Sequence, residues 1–150
     1  MMPKKKTPVK PSHSIPPWPR CCECGGPARP KTKPAFVIEY ECDTQSEANI
    51  RGRWGKMTRA KAQRDKTFEE VAIALANGQV MPNQGPWFVR LTRLAFKKID
   101  TDNLGRAMKS IRDQVAAILG IDDALDCAYW DCQQEPGHQT KAVRIEVWGS

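Results

Sequence analysis

Seven apolar residues between positions 104 and 119 recur at intervals of three and four: Leu104, Ala107, Met108, Ile111, Val115, Ile118 and Leu119. That spacing gathers them on one side of an α-helix, so the helix must lie against a surface that can bury that side. Asp102 stands where an N-cap belongs, and Gly120 where a glycine can end a helix in the left-handed conformation. The flanking segments supply a sheet to receive it. Residues 36–42, Phe-Val-Ile-Glu-Tyr-Glu-Cys, alternate as a strand does. Further strands are expected at 87–96, 125–133 and 141–148, with Pro136-Gly137 turning between the last two. Thr58 is placed to cap a second helix, which Asn77-Gly78 stops after about Ala76. Its apolar positions are Phe68, Val71, Ala72 and Leu75. Residues 43–57, polar and holding Gly52 and Gly55, read as a loop, and residues 82–86, with Pro82 and Pro86, as a connector. Strand, helix, strand, helix, strand, strand predicts an α/β (α+β) fold, a small mixed sheet of about four strands with two helices.

The chain of 150 residues holds that domain and a tail. Its net charge of +7 sits entirely in residues 1–34, where eight lysines and arginines face only Glu23 and where nine of the twelve prolines lie. Such a stretch buries too little apolar surface to order itself. Residues 1–34 are therefore read as a basic, proline-rich tail, disordered over 1–20 at least, and residues 35–150 as the folded domain. A basic tail suits weak, salt-sensitive attraction to a polyanion, usually nucleic acid, or serves only as a solubilising extension. Apolar runs fall short of the ~20 residues of a membrane span, and the Lys- and Pro-rich start lacks the apolar core of a secretory signal. The expectation is a cytoplasmic protein with reduced thiols.

Within the domain, charge is segregated. Residues 51–66 carry Arg51, Arg53, Lys56, Arg59, Lys61, Arg64 and Lys66 against Asp65 alone, while residues 100–131 carry seven Asp and no Glu. A solvated helix face would mix in Glu, the better helix former. Short carboxylates beside a basic strip suit a nuclease: the bases hold phosphates and the carboxylates hold a hard cation. Asp100 and Asp102, two apart on an extended approach to the helix, can point to one side and share a Mg²⁺ or Mn²⁺ ion. The plainer reading makes Asp102 an N-cap and Asp100 a loop residue.

Asp100-x-Asp102-Asn103-Leu104, an amphipathic helix and then Asp122-Asp123 together resemble the RusA family of Holliday-junction resolvases. The resemblance covers about residues 35–148, and Arg51-Gly52-Arg53 and Arg64-Asp65 resemble the family's basic loop and helix. It implies a homodimeric, Mg²⁺-dependent endonuclease that resolves four-way DNA junctions by paired nicks in recombination and repair, in a bacterial or phage-infected cell. It also implies that Asp100, Asp102 and Asp123 hold the metal, with Asp122 less critical. The family's catalytic lysine falls on Arg106, which can clamp a phosphate but cannot donate a proton near neutral pH; it can equally be an i,i+4 partner of Asp102. Lys109, one turn on, is a stand-in. DNA contacts are expected from Arg51, Arg53, Lys56, Arg59, Lys61, Arg64 and Lys109. A helix over 103–119 spans about 25 Å, which keeps Asp102 and Asp123 of one chain apart. Either two helices pair antiparallel across a dimer axis, so that Asp123 acts in trans, or Asp131 returns in cis along about 26 Å of strand. The dimer is preferred. The alternative function is a non-cleaving junction or single-strand binder of the same fold.

Cys21-Cys22-Glu23-Cys24-Gly25 reads as one knuckle of a zinc site that Cys42, His13 or a second chain would complete, or as free thiols in a loop. A small zinc-dependent adaptor built around it is a third reading. Cys127 and Cys132 read as small core residues, His138 shows no partner, and Trp54 is either a base-stacking residue or an anchor for a long loop. Deleting residues 1–20 removes five positive charges. DNA affinity should then fall most at low salt and the salt slope should flatten in a filter-binding titration, with an unchanged circular dichroism spectrum.

Overall fold

The computed structural model describes residue 30 and residues 32–44, 53–121 and 128–149, with the side chains of 53–56 left aside. The order is β1 (Phe36–Glu41), α1 (Arg53–Ala76), β2 (Trp87–Leu94), α2 (Thr101–Leu119), β3 (Ala128–Glu135) and β4 (Ala142–Trp148). This is the predicted succession, an α+β fold. Residues 1–29 of the basic tail, with the Cys21–Cys24 knuckle, lie outside the described residues, whereas Thr32 is held on the sheet, its carbonyl accepting a hydrogen bond from Trp148 Nε1 at 2.8 Å.

The four strands form one mixed sheet in the order β1-β4-β2-β3. β4 is antiparallel to both β1 and β2, and β2 is parallel to β3. Residues alternate between faces along each strand. Phe36, Ile38 and Tyr40, then Val89 and Leu91, then Val143, Ile145 and Val147 share the face that both helices cover, with Leu104, Met108, Ile111 and Val115 of α2 packed on it. The other face is mixed: Phe88, Leu94 and Trp148 are buried there, while Arg90 pairs with Asp131 at 2.8 Å, and Arg144 reaches Glu135 at 3.2 Å and Glu39 at 3.6 Å.

The buried face of α2 is the one its spacing predicts, and Gly120 ends the helix at φ 73°. The cap differs: Asp100, not Asp102, is the N-cap residue, and its side chain makes no capping bond. The expected α1 is corrected twice. It begins at Arg53, so Thr58 lies inside it rather than capping it; a single Gly55 costs a helix only about 1 kcal/mol. Its inward face is also not the apolar one. Val71 and Ala74 are buried beside Gln63 and Thr67, while Phe68, Ala72 and Leu75 face solvent. Polar residues can face inward here because each is satisfied. Gln63 Nε2 donates to the Asp43 carbonyl at 2.6 Å, and Thr67 Oγ1 donates to the Gln63 carbonyl at 2.8 Å and meets the Tyr40 hydroxyl. Burial pushes the Tyr40 phenol above its ordinary pKa.

β2 stops at Leu94 rather than 96, although the Ala95 N–H still bonds the Glu135 carbonyl at 3.3 Å. β3 runs on to Glu135, past the expected end at 133. His138 has a partner after all: its Nε2 lies 3.3 Å from Glu135 Oε1. That bond, with Arg144 adding to it, holds the Glu135 carboxyl below the usual range. Cys132 packs on the helix-side core as expected, while Cys127 lies outside the described residues.

Two substitutions test these faces by urea denaturation. Ile111→Ala, at a fully buried position, should cost about 2–5 kcal/mol. Phe68→Ala, at a position 58% exposed, should stay within ~0.5 kcal/mol of the parent.

Candidate metal and nucleic-acid site

Strand directions decide where the charged segments meet. β1 and β2 both run antiparallel to β4, so they are parallel to each other, and β3 is parallel to β2. The carboxyl ends of these three strands therefore lie at one end of the sheet. The chain leaves β1 for α1 and β2 for α2. α1 runs back along its strand: Arg59 pairs with Asp43, just beyond the end of β1, at 2.9 Å. At the other end, the Gln79 side chain bonds the Val37 N–H and carbonyl at 2.9 and 2.8 Å. α2 likewise returns over β2 and β3. Both helix N-termini thus sit at the carboxyl ends of the strands, the edge where open α/β sheets bind ligands.

Asp100 leaves the sheet in extended conformation, φ −60° and ψ 152°, and its carbonyl accepts the Leu104 N–H at 2.8 Å. Asp100 and Asp102 are both exposed at the start of α2. Among the described residues neither carboxylate has a hydrogen bond or ion pair. Only Asp100 is extended; Asp102 is the second residue of α2, so the strand alternation expected to turn both to one side does not apply. Each is an exposed, unengaged hard-oxygen donor of the kind Mg²⁺ takes one or two of, keeping water on its other positions. Arg106 and Lys109 follow Asp102 at four and seven residues and are exposed on the same stripe. Arg106 makes no ion pair with Asp102.

The other expected ligands fall elsewhere. Asp122 and Asp123 lie outside the described residues; Ile121, the last described residue before them, follows the far end of α2. Asp131 does not return to Asp100. Strand alternation puts it on the other face, away from the helices, where Arg90 and the Gln133 amide, at 2.8 Å each, hold its carboxylate. The cis arrangement through Asp131 is therefore corrected.

Of the basic strip, Arg51 lies outside the described residues, as do the side chains of Arg53, Trp54 and Lys56. Arg59 is three-quarters buried and committed to Asp43, and Lys66 pairs with Glu70 at 2.9 Å. Lys61 and Arg64 have no ion pair among the described residues. Lys97 and Lys98, exposed just before Asp100, add two cations that the sequence reading left out, since they fall between the expected strand 87–96 and the acidic pair. Among the described residues no helix is long and apolar enough to cross a membrane, and no three His, Cys, Asp or Glu residues cluster as a metal site. No family model matches the chain, and neither does any curated protein.

Cys42, at the end of β1 beside the site, is a free thiol more than half buried. Burial, with Asp43 adding to it, pushes the thiol up to about 11 against the pull of Arg59 and Lys66. The folded chain thus holds this proton more tightly than the unfolded one, and the contribution to stability, present below about pH 8.5, is lost as pH rises toward 11. Alkylation of Cys42 by iodoacetamide at pH 8, followed by peptide mass spectrometry, should be about 10²-fold slower in the native than in the urea-unfolded chain.

Proposed function

We propose that this chain is a Mg²⁺-dependent, structure-selective DNA endonuclease of the RusA kind, which resolves four-way junctions by paired nicks as a homodimer. The observation that carries the reading is the pair Asp100 and Asp102, exposed and unengaged at the strand ends where the basic half of α1 also begins. When bound, Mg²⁺ would polarise the scissile phosphate and lower the pKa of a metal-bound water. Asp100 and Asp102 would hold it. Lys61, Arg64, Lys97 and Lys98 would hold flanking phosphates, and Arg106 and Lys109 would hold the strand that runs along α2.

The dimer completes the site. A helix of 19 residues is about 28 Å long, so the segment beyond Ile121 cannot reach Asp100 of its own chain along a straight α2. Pairing two α2 helices antiparallel across a two-fold axis would bring Asp123 of one chain to Asp100 and Asp102 of the other. It would also give two sites related by the axis of a symmetric junction. Arg106 favours a second reading, a junction or single-strand binder that does not cut, because a guanidinium cannot deliver a proton to the leaving oxygen near neutral pH.

A supercoiled cruciform plasmid with Mg²⁺ separates the two. The first reading expects linear product; the second expects a band shift and no cutting. Asp100→Asn and Asp102→Asn should each abolish cutting while leaving junction binding within about twofold, since a neutral amide is a poor Mg²⁺ ligand. Mixing Asp100→Asn with Asp123→Asn chains should restore nicking. Roughly half of an equal mixture is heterodimer, and each heterodimer then holds one intact site. Full activity of either single Asn variant would sink the assignment.

A further inference from the structure

The segment that carries Asp100 out of the sheet is held by two side chains that the proposed chemistry leaves unused. Arg93 and Gln134 are direct partners in the β2–β3 register, at the carboxyl ends of their strands and on the helix-covered face. The β3 residues on that face are Ala128, Trp130, Cys132 and Gln134, so Gln134 is its one amide. Gln134 grips the backbone of Ile99 twice: Oε1 accepts the Ile99 N–H at 2.9 Å, and Nε2 donates to the Ile99 carbonyl at 2.8 Å. A side-chain amide thus makes the pair of bonds that one residue exchanges with its partner in an antiparallel ladder, beyond the point where the sheet has ended.

Arg93 holds the same segment from its other side. Nη1 donates to the Lys97 carbonyl at 2.9 Å, and Nε reaches the Thr44 carbonyl at 3.4 Å. Its residue is only 6% exposed, and no carboxylate pairs with it among the described residues. A buried guanidinium is costly unless its N–H groups are used. Here they are used on the two connections that lead into α1 and α2. The result is local rigidity. Ile99 is fixed through both its N–H and its carbonyl, and the Asp100 carbonyl is fixed by the Leu104 N–H. Asp100 is left with little freedom beyond its side-chain torsions. Supporting bonds of this kind, behind a ligand rather than on the metal, typically govern affinity by 10–100-fold.

We propose that Gln134, with Arg93 beside it, is a positioning clamp that sets Asp100 for a divalent cation. This rests on the reading that Asp100 and Asp102 hold that cation.

The probe is Mn²⁺ alone, titrated into the full-length chain and followed by the electron paramagnetic resonance signal of the free aquo ion. Two variants are compared with the parent. Gln134→Met keeps the size and loses both bonds, and Gln134→Asn keeps the amide but is too short to reach Ile99. Gln133→Asn, on the opposite face, is the control. Both Gln134 variants should bind Mn²⁺ about 10–100-fold more weakly, with parental circular dichroism and faster hydrogen exchange at the Ile99 amide. Gln133→Asn should bind as the parent does. Parental Mn²⁺ affinity in either folded Gln134 variant, or unchanged exchange at Ile99, overturns the clamp. A parent chain that takes up no Mn²⁺ overturns the metal reading itself, and with it any positioning role, which separates the two failures.

Discussion

Val143, Ile145 and Val147 of β4 lie between Tyr40, Ile38 and Phe36 of β1 on one side and Arg93, Leu91 and Val89 of β2 on the other. These cross-strand contacts hold the two halves of the chain together, since β1 and β2 have no direct ladder. They also set direction. Because β4 opposes both neighbours, β1 and β2 point the same way, and the helices that follow them start at the same end. Everything gathered at that end depends on this one strand: the arginine and lysine of α1, the paired lysines before Asp100, and the two carboxylates.

Two parallel helix N-termini at one edge add their dipoles there. The first turn of α1 carries no acid, whereas that of α2 carries Asp102 with Asp100 as its cap. The edge is therefore electrostatically uneven. Basic side chains gather along α1, and carboxylates gather at the start of α2, where they also offset the helix dipole. The substrate proposed above, a phosphodiester bridged by a metal ion, has this polarity.

The sequence made α2 legible because its large apolar residues follow the helical period and its end is marked by Gly120. α1 was less legible. Its inward side uses Gln63 and Thr67, whose polar atoms are satisfied by Asp43 and Tyr40, so of the visible apolar set, Phe68, Val71, Ala72 and Leu75, only Val71 faces inward. Tertiary hydrogen bonds of this kind leave no periodic trace. The capping position was misplaced by two residues because Asp100 and Asp102 are chemically alike and only two positions apart at the start of the helix. Asp131 looked available because strand length alone lets it reach Asp100; which face it takes depends on the register with Arg90, and no count along the chain supplies that. Gln134 and Arg93 carried no signal at all, since their role exists only where β2 and β3 lie side by side.

β4 is both an interior strand of the sheet, the one that joins β1 to the rest, and the last of the described elements. Until residues 142–148 have been synthesised, β1 has no ladder partner and β2 has only β3. Their apolar faces can be covered by helices, but the edges between them stay open. Closure then joins residues more than a hundred positions apart, such as Phe36 and Val147, which is a large loop to close. Such a chain commits to its fold only once β4 is available to pair. Before that moment, its exposed strand edges are the surfaces that a chaperone, or another unfinished copy, would meet first.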